Sequence, residues 1–205
     1  MISDKKEIIR EYINDHCIFR AHPNIKYSES FPRGTFVSAN PTNISGNTYL
    51  FMLKRLMYNH LMMEYVLDII QKMLPTDDYQ FAGLENGSVP LLMALQSRLP
   101  EKNIFSIRST RKSYGVMHYI NGVPNDTPVL FVDDLVSSGA SMLKAMRISA
   151  EELNLDILPT SLCIVNMHNK DMIHSTKLKS IFCKDDFDLK YDKEKYWSQK
   201  DFERN

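Results

Sequence analysis

Short apolar runs separated by turn signals dominate the second half of the chain. Tyr79–Gly83, Ile104–Ile107, Val129–Val132 and Thr160–Asn166 are mostly apolar or β-branched stretches, and Lys179–Cys183 reads as a further short one. Continuous rather than alternating runs are the mark of strands covered on both faces. Helix-compatible segments fall between them, from about Val89 to Leu99 with Pro90 in the first turn, and from Met142 to Leu153. Strands alternating with helices predict an α/β fold with a doubly wound, mainly parallel sheet.

The first half is less regular. Asp4 and Glu7 have capping-box spacing and open a helix to about Asn14, with Ile8, Ile9, Tyr12 and Ile13 on one face. Pro23, Pro32 and Pro41 rule out a long helix between His16 and Gly46, where short strands are expected around Ile18 and Thr35–Ala39. Asn47–Leu74 reads as the longest helix, its methionines filling gaps in a core, and Pro75–Asp78 ends it. At 205 residues the chain fits a single domain. Its expected parts are a small N-terminal hood (1–46), an α/β core (47–183) and a charged tail (184–205).

Composition removes several classes of function. Lys+Arg and Asp+Glu each number 25, which gives no overall field for nucleic acid or an acidic membrane. Cys17, Cys163 and Cys183 are far apart, with no C-x-x-C pair, and the histidines lack i, i+4 spacing, so neither a disulfide framework nor a zinc site is expected. The start, Met-Ile-Ser-Asp-Lys-Lys-Glu, lacks the apolar core of a signal peptide. Tyr49–Leu74 is broken by Lys54, Arg55, His60, Glu64 and Asp68 and is too interrupted to span a bilayer. A cytoplasmic, reduced protein is expected.

The stretch from Val129 to Ser141 carries the candidate chemistry. An apolar strand ends in Asp133 and Asp134, and Leu135, Val136, Ser137, Ser138, Gly139, Ala140 and Ser141 lead into a helix. Helix N-terminal amides and serine hydroxyls suit a phosphate. Carboxylates do not bind phosphate, so the acids need another target. A sugar phosphate satisfies both, with ribose hydroxyls reaching the acids directly or through Mg²⁺.

This stretch resembles the phosphoribosyl-pyrophosphate (PRPP) signature of the type I phosphoribosyltransferases. Two further loops are similar to those of the orotate phosphoribosyltransferases. Gly83-Leu-Glu-Asn-Gly-Ser-Val-Pro90 resembles the pyrophosphate loop that precedes a Val-Pro-Leu helix start. Ile107-Arg-Ser-Thr-Arg-Lys-Ser-Tyr-Gly115 resembles the mobile cationic loop, in which Arg108, Lys112 and Gly115 match, Tyr114 stands for a histidine and Ser109 for a lysine, with Gly122 matching a later glycine.

The resemblance implies PRPP and Mg²⁺, a nitrogenous base as acceptor, and a homodimer whose 108–122 loop is shared between subunits. It gives Asp133 and Asp134 the ribose hydroxyls and a possible part in holding Mg²⁺, and residues 135–141 the 5′-phosphate. Glu85, Asn86, Gly87 and Ser88, with Tyr114, fall to PRPP, and Arg108, Arg111 and Lys112 to charge on the leaving group. Arg111 is expected to supply the cation missing at Ser109. The chain departs from the family after Thr160–Val165, where Asn166-Met-His-Asn169 stands in place of an Asp-Arg that helps to hold the base. Lys26, Arg33 and Phe36 are the substitute base-binding candidates. The expected activity is phosphoribosyl transfer from PRPP to a base, with orotate first and orotidine 5′-monophosphate as product in pyrimidine synthesis. The alternatives are another base, or a nucleotide-binding regulator of the same fold.

Overall fold

The structure, a computed structural model, describes residues 2–37, 46–108, 110, 119–168, 170–190 and 196–197. In chain order, helix α1 (Ile2–Tyr12) passes through a π turn (Ile13–Cys17) into β1 (Ile18–Ala21). Strand β2 (Tyr49–Phe51) and helices α2 (Lys54–Met57) and α3 (His60–Gln71) follow. Then come β3 (Gln80–Leu84), α4 (Val89–Arg98), β4 (Ile104–Ile107), β5 (Ile120–Asn121), β6 (Val129–Val136) and α5 (Ala140–Glu151). Strands β7 (Ile157–Asn166), β8 (Met172–Ile173) and β9 (Thr176–Cys183), a 3₁₀ turn (Lys184–Asp186) and β10 (Tyr196–Trp197) complete the chain.

These elements form two compact units, Met1–Ile9 with Met57–Asp186, and Arg10–Leu56 with Phe187–Asn205. The chain returns from the larger unit to the smaller one, because β10 pairs with β1.

The larger unit is a seven-stranded sheet in the order β5-β4-β3-β6-β7-β9-β8. Its five long strands are parallel, and the two-residue edges β5 and β8 are antiparallel. Taken alone, the parallel strands run 2-1-3-4-5 in chain order, so winding reverses between β3 and β6. That switch point opens a crevice at the strands' C-terminal ends, the place where doubly wound sheets bind ligands. Burial explains the pattern: all of Val129–Val132 is inaccessible because both faces of β6 are covered. Val129 and Phe131 pack with Met142, Ala145 and Met146 of α5, which repeat at i, i+3 and i+4 along one helix face.

Gln80 ties the other end of this sheet. Its side chain is fully buried, donates to the Asn125 and Thr127 carbonyls (2.7 Å each) and accepts from Asn103 Nδ2 and Asn125 N (3.0 Å each). The polar 122–127 connection is thereby fastened to the first core strand.

In the smaller unit β1 lies between β10 and β2. Phe19, Ala21 and Phe36 are its core, with Tyr27 and Leu50 packed against them. Arg20 is buried, and its guanidinium is satisfied by Asn14 Oδ1 (2.7 Å) and the Asp188 carbonyl. The charge is tolerated because every face of the fork meets oxygen.

Several expectations are corrected. The single helix over 47–74 is a strand and two helices: Tyr49, Leu50 and Phe51 take the β ladder with β1, where their aromatic and apolar side chains suit a pleated surface. Helix α3 starts afresh at Asn59, whose side chain accepts from Met62 N at 3.2 Å. Helix α1 begins at Ile2, so Asp4 sits inside the first turn, facing the positive end of the dipole, instead of capping it. Of the strand expected at Thr35–Ala39, the described part is one antiparallel bridge, Phe36 with Asn47. In the charged tail the described residues hold the 3₁₀ turn and β10. Edges β5 and β8 were not anticipated, since two residues carry no readable period.

Candidate active site

The two loops flanking the switch point meet over the acid pair. Strand β6 extends past the acids to Val136, held by β7 through Asp133–Cys163, Leu135–Val165 and Val136–Asn166 pairs. Asp133 is only 8% exposed. Burial, followed by the charge of Asp134 beside it, pushes the Asp133 carboxyl well above the ordinary carboxylate range. Burial also raises the Cys163 thiol, reinforced by the two acids, so this neighbour stays neutral. The acids are oriented by the backbone: Asp134 N–H donates to Asp133 Oδ1 (3.0 Å) and Leu135 N–H to Asp134 Oδ1 (2.9 Å).

Residues 135–142, together with Asp133, line a hollow of about 100 Å³. Ser137, Ser138 and Ser141 are exposed at its rim. Gly139 heads α5 with φ of +76°, a left-handed conformation that turns the chain from strand into helix without a Cβ penalty. Leu143 N–H donates to the Gly139 carbonyl (2.9 Å), closing the first turn of α5, and Ala140 N–H donates to Ser138 Oγ (3.4 Å) beside the hollow. The arrangement is an anion cradle beside two carboxylates, one of them poised to hold a proton.

The second loop, Glu85–Ser88, follows β3. A Cβ on Gly87 would stand 2.5 Å from Asp134 Oδ1 and 3.5 Å from Asp133 Oδ1, so the absence of a side chain is what lets this turn lie on the acids. Ser88 is buried and donates to the Leu84 carbonyl (2.8 Å), pulling the turn tight at the start of α4. Gly83 packs against Ser88 and the Val132 carbonyl with no room for a Cβ. The Glu85–Asn86 peptide is cis. Glu85 itself turns away from the acids: Oε1 accepts from Ser106 Oγ (2.9 Å) and from Asn121 Nδ2, and Oε2 lies 3.9 Å from Arg108 Nε.

The structure therefore brings together Asp133, Asp134, residues 135–141, Gly87 and Ser88. Arg108 faces Glu85. Arg111, Lys112 and Tyr114 lie outside the described residues, as does Ser109. Lys26, Arg33 and Phe36 belong to the smaller unit. There Lys26 pairs with Glu29 (2.5 Å), Arg33 Nη1 donates to the Asn24 carbonyl (2.9 Å), and Phe36 is buried with the Tyr27 ring centroid 4.6 Å away. At the end of β7, Asn166 is occupied locally, donating to the Lys170 carbonyl (3.0 Å) and accepting from His168 N–H (2.9 Å). Ser106 and Asn121 were missed as site residues; a serine inside the Ile-Phe-Ser-Ile run was the available signal.

Among the described residues no group of three or more His, Cys, Asp or Glu side chains gathers into a metal site. None of their helices is long and apolar enough to cross a membrane.

Strand order and switch-point crevice are similar to the fold of solved orotate phosphoribosyltransferases. Relatives in sequence carry the same description. The one from Methanocaldococcus jannaschii is 30% identical over 102 residues, 49% of this chain and 57% of the relative, so the match spans little more than half of that protein. The one from Pyrococcus furiosus is 26% identical over 151 residues, 72% of this chain and 74% of the relative. Among solved structures, Mycobacterium tuberculosis orotate phosphoribosyltransferase in complex with 5-phospho-alpha-D-ribosyl 1-diphosphate superposes with a TM-score of 0.59 at 15% identity, covering 90% of each chain. No family model matches.

Proposed function

We propose that this protein is a phosphoribosyltransferase that joins PRPP to orotate, releasing pyrophosphate and forming orotidine 5′-monophosphate. The observation that carries the reading is the convergence of the Glu85–Ser88 turn and the Asp133–Ser141 loop, with Gly87 against Asp134. One loop cradles the 5′-phosphate, the other presents amides to the pyrophosphate, and the acids between them meet the ribose hydroxyls. The orotate phosphoribosyltransferase relatives, and the PRPP bound by the M. tuberculosis enzyme, support the same ligand.

In the reaction a bond forms from the ring nitrogen of the base to the anomeric carbon. The C–O bond to pyrophosphate breaks, its electron pair leaves with pyrophosphate, and the ring nitrogen gives up its proton. Positive charge develops on the sugar while negative charge builds on the leaving group. Asp133 and Asp134 stabilise the sugar side, and Asp133, raised by burial, is suited to hold a proton. Arg108 with Arg111 and Lys112 neutralises the leaving group, the last two from a segment contributed across a homodimer.

The donor set fits Mg²⁺, which binds through substrate phosphates and one or two carboxylates while keeping several waters, and which needs no dedicated three-ligand cage. Asp133 and Asp134 are the residues that would hold it. When bound, the ion supplies further neutralisation of pyrophosphate charge. For the base, which carries a carboxylate, Lys26, Arg33 and Phe36 are the proposed candidates, all within the smaller unit.

Pyrophosphate release with PRPP, Mg²⁺ and a panel of bases tests the proposal. Release with orotate is expected. Release with a different base alone replaces the substrate, and tight PRPP binding with no release for any base overturns the enzyme in favour of a regulator.

A further inference from the structure

The carboxylate of Glu85 meets both strands that carry the cationic segment. On β4 it accepts from Ser106 Oγ, and on β5 from Asn121 Nδ2, two residues that face one another across the β4–β5 ladder. Its own N–H donates to the Ile107 carbonyl (2.7 Å), and Arg108 N–H donates to the Tyr119 carbonyl (2.6 Å), closing the ladder where the segment leaves it. The second carboxylate oxygen faces Arg108 Nε at 3.9 Å. That distance makes an ion pair and not a hydrogen bond. The Nε–H is buried and makes no hydrogen bond among the described residues. The side chain is 31% exposed, so the guanidinium keeps one buried donor unmade beside the Glu85 carboxylate.

We propose that Glu85 is a positioning residue for pyrophosphate. It registers the β4–β5 ladder to the phosphate turn and aims the Arg108 guanidinium at the anion held by residues 86–88. Glutamate is required here because one oxygen is consumed by two neutral donors, which leaves the other to carry charge toward the arginine. A glutamine would satisfy Ser106 and Asn121 with its oxygen and then turn an NH₂ toward Arg108, donor against donor. The inference rests on the phosphoribosyltransferase reading, which places pyrophosphate on that turn.

The test is titration calorimetry of the full chain with inorganic pyrophosphate and Mg²⁺, alongside initial rates with PRPP and orotate. It uses wild type, Glu85→Gln, Arg108→Ala and the double variant. If Glu85 acts through Arg108, Glu85→Gln weakens pyrophosphate binding about tenfold and leaves the KM for orotate unchanged. The double variant is then no weaker than Arg108→Ala alone. A purely structural Glu85 gives additive losses and raises both KM values together, which overturns the proposal. Full pyrophosphate affinity in Glu85→Gln also overturns it. Should Glu85→Gln unfold, Glu85→Asp keeps the charge, withdraws it by one methylene and reads the same coupling with Arg108. Wild-type protein that binds neither pyrophosphate nor PRPP would instead refute the enzyme reading, a separate outcome.

Discussion

Replacing Gly87 by alanine separates the site from the fold. Gly87 has no positive φ, so the backbone accepts alanine, and the one obstruction is the Asp134 carboxylate 2.5 Å from the new Cβ. To regain ordinary contact one partner must give by roughly 1 Å. The carboxylate is the end of a short side chain and yields more cheaply than the turn. Stability should therefore change little, because alanine also restricts the unfolded chain by about 0.4–1 kcal/mol. We expect Tm to stay within roughly 5 °C, given about 2–4 °C per kcal/mol at this size. Activity should not survive so well, since a displacement of about 1 Å at a reacting group costs on the order of a hundredfold. In barrier terms that is about 2.7 kcal/mol. Scanning calorimetry and pyrophosphate release with PRPP and orotate give the two numbers. A kcat/KM within about threefold of wild type at unchanged Tm would refute the claim that turn and acids act on one ligand. A Tm loss beyond about 10 °C would show that the backbone and not Asp134 absorbs the clash.

Two further outcomes follow from the same geometry. Asp133→Asn should cut turnover at least roughly a hundredfold, an electrostatic loss of oxyanion scale. It should also raise stability at neutral pH: a carboxyl raised on folding binds its proton more tightly in the folded state, so wild-type stability falls as pH climbs from the ordinary carboxylate range through the raised value. The variant's Tm advantage should then be large at pH 7 and vanish near pH 4 in calorimetry, and an advantage independent of pH would refute the assignment. Gln80→Leu should lower unfolding free energy by about 3 kcal/mol in urea titration, because it strands buried donors and acceptors of the 122–127 connection. A change below about 1 kcal/mol would mean that solvent replaces those bonds.

Local chemistry made much of the site legible. The acid pair and serine-glycine loop stand consecutively after an apolar strand, so the run from strand to cradle to helix is written in thirteen residues. Ser137, Ser138 and Gly139 line the hollow together with Asp133. Glu85 was legible only as part of a turn. Its partners Ser106 and Asn121 are 21 and 36 residues away and meet it only because β5 folds back on β4. The close fit of Gly87 on Asp134 was equally silent, because it depends on β3 and β6 becoming neighbours. Lys26 and Arg33 were chosen for charge alone, and the structure gives them local partners in Glu29 and Asn24.

What the sequence by itself determined is the alternation of buried strands and amphipathic helices, since burial on two faces leaves a continuous apolar run and burial on one face a 3.6-residue period. It also determined the serine-glycine loop that follows the acid pair, since that run consists of adjacent residues. Tertiary structure decided the strand order 2-1-3-4-5 and hence which loops face each other. It decided the split of 47–74, where Tyr49–Phe51 pairs with β1 instead of joining a helix, and the return of the tail to β1 through β10. These are contacts between distant segments, whose energies no local pattern encodes: a residue's period reports how much of it is buried, and only the fold reports against what.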